Sequence, residues 1–187
     1  MIRFSVAPSN FTIDGAEPRE LNAKFPNYDP IRQVERLSIR RFMEAHRGYL
    51  RGRVLDFGSG TQPYRDLVDG EYVPFEKGDR WPGGADYDTV ICNQVFQYLD
   101  APQEALKLFH TCLKPGGHLV LTYPACWDEV EKTDLWRFTF QGMENLFLRF
   151  EGWVSERRFT VVEHVRRAEV AVGNFKFPLG YGLVARK

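Results

Sequence analysis

Apolar positions alternate between short continuous runs and stripes of helical period. Arg53-Val-Leu-Asp-Phe57, Glu71 to Glu76, Tyr87 to Cys92 and His118 to Tyr123 are runs too short for helices and bounded by glycine, proline or charge. They read as strands buried on both faces. From Asp29-Pro30 a helical stripe begins, with Asp29 as N-cap, Pro30 at the first helical position, and Ile31, Val34, Phe42, Ala45 and Tyr49 facing inward. This predicts a capping helix over 30–50. Residues 1–29 hold Pro8, Gly15, Pro18 and Pro26 among polar residues and read as an arm. Thr61 caps a predicted helix that starts at Gln62 and Pro63 and runs through Tyr64, Leu67 and Val68. Ala105, Leu106, Phe109 and Leu113 share a face of a helix from Pro102 to Leu113, which Asp100 caps and Lys114-Pro-Gly-Gly117 ends. Residues 125–138 read as a loop, and Thr139 to Phe150 as a helix carrying Phe140, Met143, Leu146, Phe147 and Phe150. Two strand-like segments follow, Phe159 to Val165 and Leu183 to Arg186. Strands alternating with helices predict one α/β domain over 1–187, with a mostly parallel sheet covered on both faces. The connection from Lys77 to Ala85 has no room for a helix, so the fold is shortened between its second and fourth strands.

Composition adds exclusions. Of 187 residues, 43% are apolar and 27% charged, ordinary for a packed domain. Twenty-five basic residues balance twenty-five acidic ones, so no global field favours nucleic acid or an anionic membrane as partner. The three cysteines, Cys92, Cys112 and Cys126, show no CxxC or metal spacing and read as reduced thiols. His46, His110, His118 and His164 are scattered, and no metal site is expected. No apolar run approaches the roughly 20 residues that span a bilayer, and no basic-then-apolar leader opens the chain. A cytoplasmic protein is expected. Arg32, Arg36 and Arg40 share one face of the first helix and read either as a solvated face or as a lid over an anionic group.

The first strand delivers Asp56-Phe-Gly-Ser-Gly60 at the place where ligands bind in such sheets, outside the carboxyl ends of the strands. Two glycines allow a sharp turn and close approach of a ligand to the backbone. Asp56 there opposes a pyrophosphate and favours a cationic ligand, which argues against a dinucleotide. Glu76 ends the second strand, where a carboxylate accepts both hydroxyls of a ribose; the alternative is a solvated charge beside Lys77.

From Val54 to Pro124 the chain resembles the class I S-adenosylmethionine-dependent methyltransferases, especially a small bacterial group whose first loop reads DxGxGxxPY. Here that loop is Asp56-Phe-Gly-Ser-Gly-Thr-Gln-Pro-Tyr64. Asp86-Tyr-Asp-Thr-Val-Ile-Cys-Asn-Gln-Val95, Leu113-Lys-Pro-Gly-Gly-His-Leu-Val-Leu-Thr-Tyr-Pro124 and Asp134-Leu-Trp-Arg-Phe-Thr139 continue the likeness in order. It implies a Rossmann-like, doubly wound fold and S-adenosylmethionine as cofactor, whose sulfonium and ammonium suit the acidic loop. Asp56, Gly58, Ser59 and Gly60 then hold the methionine end, Glu76 the ribose, and Asn93 lies near the sulfonium. Three departures stand out: Gln62 replaces a third glycine, Glu76 an aspartate, and the usual helix and strand before Tyr87 are missing. Asp79 and Trp81 are left to build the adenine pocket. Acceptor-side candidates are Gln94, Tyr98, Tyr123, Asp134, Trp136 and Arg137. Trp136 and Phe138 read equally as core, and Arg137 as a partner that fixes Asp134. Where relatives carry Glu-His, this chain has Gln97-Tyr98. Methyl transfer needs mainly alignment and exclusion of water, plus a base when the acceptor is a hydroxyl. The expectation is an enzyme that methylates a small molecule such as a sugar, lipid precursor or metabolite. The alternative is a catalytically silent member serving as an interaction module. Methylation of nucleic acid or protein is disfavoured, because no Asn/Asp-Pro-Pro-Tyr/Phe segment is present.

Overall fold

The computed structural model describes residues 30–125, 133–148, 159–172 and 175–187. The arm 1–29, the cap Asp29 and Cys126 lie outside the described residues. Six strands, β1 (Arg51–Phe57), β2 (Asp69–Phe75), β3 (Tyr87–Asn93), β4 (Leu113–Pro124), β5 (Thr160–Val172) and β6 (Phe175–Arg186), form one sheet in the order β2-β1-β3-β4-β6-β5. The first four are parallel, and β6 runs antiparallel to both β4 and β5.

Neighbouring residues on the central strands go to opposite faces, and both faces are covered. Leu55, Val90, Cys92, Leu119, Leu121, Leu183 and Ala185 pack on one side with residues of α2 (Pro102–Cys112) and α3 (Phe140–Leu148). Val54, Ile91, Val120 and Val184 pack on the other with Ile39, Phe42 and Met43 of α1 (Pro30–Ala45). A strand buried on both faces needs apolar residues at consecutive positions, so these runs lack polar alternation. Cys92 and Cys112 are free and buried, packed as small hydrophobes. Among the described residues no helix is long and apolar enough to cross a membrane.

The structure corrects the expected elements in six places. The first helix ends at Ala45, ahead of a separate 3-10 turn, Arg47–Tyr49, and α2 has Ala101 rather than Asp100 at its N-cap. The helix predicted from Gln62 through Val68 is a turn followed by a single 3-10 turn, Arg65–Leu67. Gly60 and Gln62 both have positive φ, 50° and 58°, which interrupts a right-handed helical path at its start. Tyr64 and Leu67 plug the face that α1 covers instead. Lys114 to Gly117 does not separate helix from strand: β4 begins at Leu113 directly after α2, and Gly116 N–H and Gly117 C=O pair with Lys187. Ala45 is exposed, whereas Val34 and Phe42 are buried as expected and Leu37, Ile39 and Met43 join them in the stripe of α1. Finally, β5 and β6 extend well beyond the expected segments.

Two glycines let β6 pass under its neighbours. A Cβ on Gly182 would lie 2.5 Å from the Phe42 ring of α1, and one on Gly180 would collide with the Arg167 guanidinium. Gly182→Ala therefore overpacks this contact and should cost about 1–3 kcal/mol of unfolding free energy in urea titrations. Phe42→Leu in the same chain should recover part of that loss. Additive penalties from the two substitutions would show that the contact is not the cause.

Candidate functional site

The chain leaves β1 toward β2 on one side and returns to β3 on the other, so the connections after β1 and β3 diverge and open a crevice. A cleft of about 1180 Å3 lies there, with Asp56, Phe75, Asn93 and Pro124 from the ends of β1 to β4 among its lining residues. Residues of α1 and the loop 133–137 close its sides.

The glycine turn is the sharpest feature of the cleft. Gly58 has φ 76°, and a Cβ there would fall on the Val95 side chain, so both the backbone angle and the space require glycine. The N–H groups of Gly58 and Ser59 donate to Phe75 O at 2.8 and 3.3 Å, which ties the turn to the end of β2. Asp56, 2% exposed, accepts from the Tyr72 hydroxyl at 2.5 Å. Burial pushes its carboxyl up to about 6, with Glu76 adding to the rise and the Tyr72 hydrogen bond opposing it. Burial, and then Asp56 itself, raise the Tyr72 phenol, so it stays a donor. Glu76 folds back on the turn, where its Oε1 accepts from Gly60 N–H and from Ser59 Oγ.

Ten of the fourteen residues expected at the site line this cleft: Asp56, Gly58, Ser59, Gly60, Glu76 and Asn93, and also Gln94, Tyr98, Asp134 and Arg137. The other four do not. Asp79 closes the turn after β2, its carboxylate accepting from Glu76 N–H at 2.8 Å. Trp81 lies edge-on against Phe75 at 5.0 Å and Phe57 at 6.5 Å, two residues that themselves line the cleft, and so packs beside the cleft without lining it. Tyr123 is fully buried, its hydroxyl 2.6 Å from His164 Nε2 and its ring against Phe138 and Tyr181. Trp136, 41% exposed, stacks on Phe138 and donates from Nε1 to Leu99 O at 2.7 Å. Arg137 grips Asp134 with two hydrogen bonds of 2.5 and 2.6 Å, and the N–H groups of Leu135 and Trp136 donate to Gln97 O, which fixes this loop at the rim.

Asn93 is held by Thr122, whose hydroxyl donates to Asn93 Oδ1 at 3.0 Å. Gln94 follows at φ 57° and turns the chain away from the sheet, with its N–H on Thr122 O at 2.9 Å. The arginine face of α1 divides between the cleft and an ion-paired cluster. Arg32 and Arg36 line the cleft, whereas Arg40 turns to Asp66 at 2.5 Å and Glu44 at 2.8 Å.

Two charged residues of the site were not singled out from the sequence. Glu35 lines the cleft at 8% exposure, and Arg167 of β5 lies behind it with a wholly buried side chain, 3.9 Å from Glu35 Oε1. Arg167 donates to Tyr181 O, Ser38 Oγ and Tyr123 O, and burial lowers its guanidinium to about 10. The available signal was a glutamate inside the buried stripe of α1, between Val34 and Leu37. Among the described residues no cluster of three or more His, Cys, Asp or Glu is placed to hold a metal.

A six-stranded sheet, mostly parallel, flanked by helices and opening at its switch point onto a glycine turn is the Rossmann-like α/β fold of methyltransferases. Residues 25–164 match the model of a family described as a methyltransferase domain, and the chain belongs to that family. Among solved structures, it resembles 1,6-didemethyltoxoflavin-N1-methyltransferase from Burkholderia thailandensis, determined with 1,6-didemethyltoxoflavin and S-adenosylhomocysteine. The two share 19% identity and a TM-score of 0.56 over 92% of this chain and 91% of that one. A SAM-dependent methyltransferase from Archaeoglobus fulgidus matches at 15% identity and a TM-score of 0.54, over 90% and 99% of the two chains. One from Mesorhizobium loti matches at 10% identity and 0.55, over 80% and 98%. None of the curated proteins matches.

The buried Asp56 carboxyl carries a stability consequence. Its folded value, about 6 against 3.8, is raised, so between those values the native state holds more protons than the unfolded chain, and stability falls as pH rises through that window. At 1.36 kcal/mol per unit, the penalty above pH 6 is up to about 3 kcal/mol. Asp56→Asn should therefore melt higher than the wild type at pH 7.5 and converge with it near pH 4. A variant that melts lower at pH 7.5 would show that ionised Asp56 stabilises the empty fold.

Proposed function

We propose that this protein is a S-adenosylmethionine-dependent methyltransferase acting on a small-molecule acceptor. The observation that carries the reading is the carboxylate of Asp56, buried at the floor of a glycine turn with Glu76 folded onto the same loop. Two acids at a backbone cradle repel a phosphate and attract a cation, the reverse of a dinucleotide site. A ligand bearing an ammonium and a sulfonium supplies the missing charge. Asp56 with Gly58, Ser59 and Gly60 would hold its methionine end, and Glu76, released from Gly60 N–H, would accept the ribose hydroxyls. Past Glu76 the wall continues through Lys77 and Gly78, with Asp79 bonded to Glu76 N–H and Trp81 packed on Phe75 beside it.

The cleft is larger than the roughly 300–1,000 Å3 of a single ligand pocket, which leaves space for a small acceptor beside the cofactor. That second part is enclosed by α1 and by the rim loop pinned to Gln97 O, which suits a small molecule better than a polymer. The bound cofactor supplies an activated methyl group. The chain's own residues align the acceptor with it and keep water out.

Calorimetric titration with S-adenosylhomocysteine tests the reading. Micromolar binding is expected at pH 7.5, weakened at least tenfold by Asp56→Ala or Glu76→Ala. Because a cation favours ionised Asp56, wild-type affinity should fall as pH drops through about 6. A folded wild type that takes up no S-adenosylhomocysteine overturns the enzyme reading and favours the interaction module.

A further inference from the structure

Where α1 meets the end of β3, the cleft is lined by two buried oxygen acceptors to which methyl-donor binding gives no task. They are Glu35 and Gln97, 8% and 4% exposed. Gln94 connects them. Its backbone carbonyl accepts from Gln97 Nε2 at 2.9 Å. Its side-chain amide, in the orientation that satisfies both neighbours, donates to Glu35 Oε1 at 3.2 Å and accepts from Arg167 at 2.9 Å. The left-handed turn at Gln94 thus holds one carboxylate and one amide on the same stretch of cleft wall.

With its nitrogen committed to Gln94, Gln97 presents Oε1 as a buried acceptor that has no hydrogen-bond partner among the described residues. Leaving such an atom unpaired is costly, so it points to a donor that arrives with a ligand. Glu35 is the complementary case. Burial raises its carboxyl, and Arg167 from β5, Arg36 and Arg32 from α1 and Arg137 from the rim loop pull it down. Burial outweighs the guanidinium groups and leaves the carboxyl above its ordinary value, which makes its ionised form a better proton acceptor.

We propose that Gln97 and Glu35 together select an acceptor with two adjacent X–H bonds, a primary amine or a vicinal diol, Gln97 accepting one hydrogen bond and Glu35 receiving the other proton. The inference rests on the methyl-transfer reading. In the step, the lone pair of X (O or N) forms the X–CH3 bond while the S–CH3 bond breaks and its electron pair passes to sulfur. The X–H proton goes to the Glu35 carboxylate, and from there to solvent. A carbon nucleophile without such donors leaves Gln97 Oε1 unpaired and is rejected for that reason.

Catechol, guaiacol and veratrole, nearly equal in shape, offer two, one and no hydroxyl donors. Titrated into the protein with and without saturating S-adenosylhomocysteine, they should bind in that order, catechol at least tenfold tighter than veratrole. Gln97→Met should remove one step of the ladder. The catechol-to-veratrole ratio should fall on acidification in the wild type and stay flat in Glu35→Gln, whose amide still accepts but does not titrate. Thermal unfolding of each variant shows whether it is folded. Equal binding of the three probes, or binding of none, overturns the proposal, as does an undiminished ladder in folded Gln97→Met. If S-adenosylhomocysteine itself fails to bind, the methyl-transfer reading falls, and the ladder measured without it decides the donor site on its own.

Discussion

An uncompensated carboxylate at the end of a buried strand is the constraint around which the rest of this molecule is arranged. Asp56 is flanked in the sheet by Pro74 of β2 and Ile91 of β3, with one hydrogen bond, from Tyr72, to offset its loss of water. Desolvating a charge in this way is expensive, and among the described residues no cation is one of the groups that shift it. The same position lies beneath the turn at Gly58, where Val95 leaves no room for a side chain. Charge, turn and opening of the sheet coincide because the parallel strands put β1 and β3 side by side while their connections part.

The acceptor side is built on a different balance. There the buried carboxylate, Glu35, is matched by a buried guanidinium, Arg167, and the two are bridged through Gln94. Removing either partner of such a pair leaves the other charge stranded, which is why paired buried charges tolerate little change. The pairing also ties α1 to the antiparallel strands β5 and β6, so the helix that closes the cleft is anchored by polar contacts as well as by Phe42 on Gly182. One half of the cleft is thus short of positive charge and the other is internally compensated.

Much of this was legible in the sequence, and the reasons for the remainder are specific. The four parallel strands, the long helix before them and the turn at Gly58 each rest on local signals: apolar runs, Pro30 at a helix start, paired glycines. The helix after the turn was misread because nothing about glutamine announces the left-handed backbone at Gln62. The lengths of β5 and β6 were underestimated because Arg166, Arg167, Pro178 and two glycines break the apolar pattern, although Arg167 points inward and the glycines make room for neighbours. Motif position puts Asp79, Trp81, Tyr123 and Trp136 in the site, whereas Asp79 closes a turn on Glu76, Trp81 packs on Phe57 and Phe75 beside the cleft, Tyr123 is buried against His164 and Trp136 stacks on Phe138. Glu35 with Arg167 is a contact between the first described helix and a late strand, and no short-range pattern reports such a pairing.

The most direct test of the account is a crystal structure of the protein grown with S-adenosylhomocysteine. The ligand's amino group should lie within hydrogen-bond distance of the Asp56 side of the glycine turn, and its ribose hydroxyls on Glu76, swung away from Gly60 N–H. A ligand whose electron density lies elsewhere in the cleft, with Glu76 still bonded to Gly60, would contradict it.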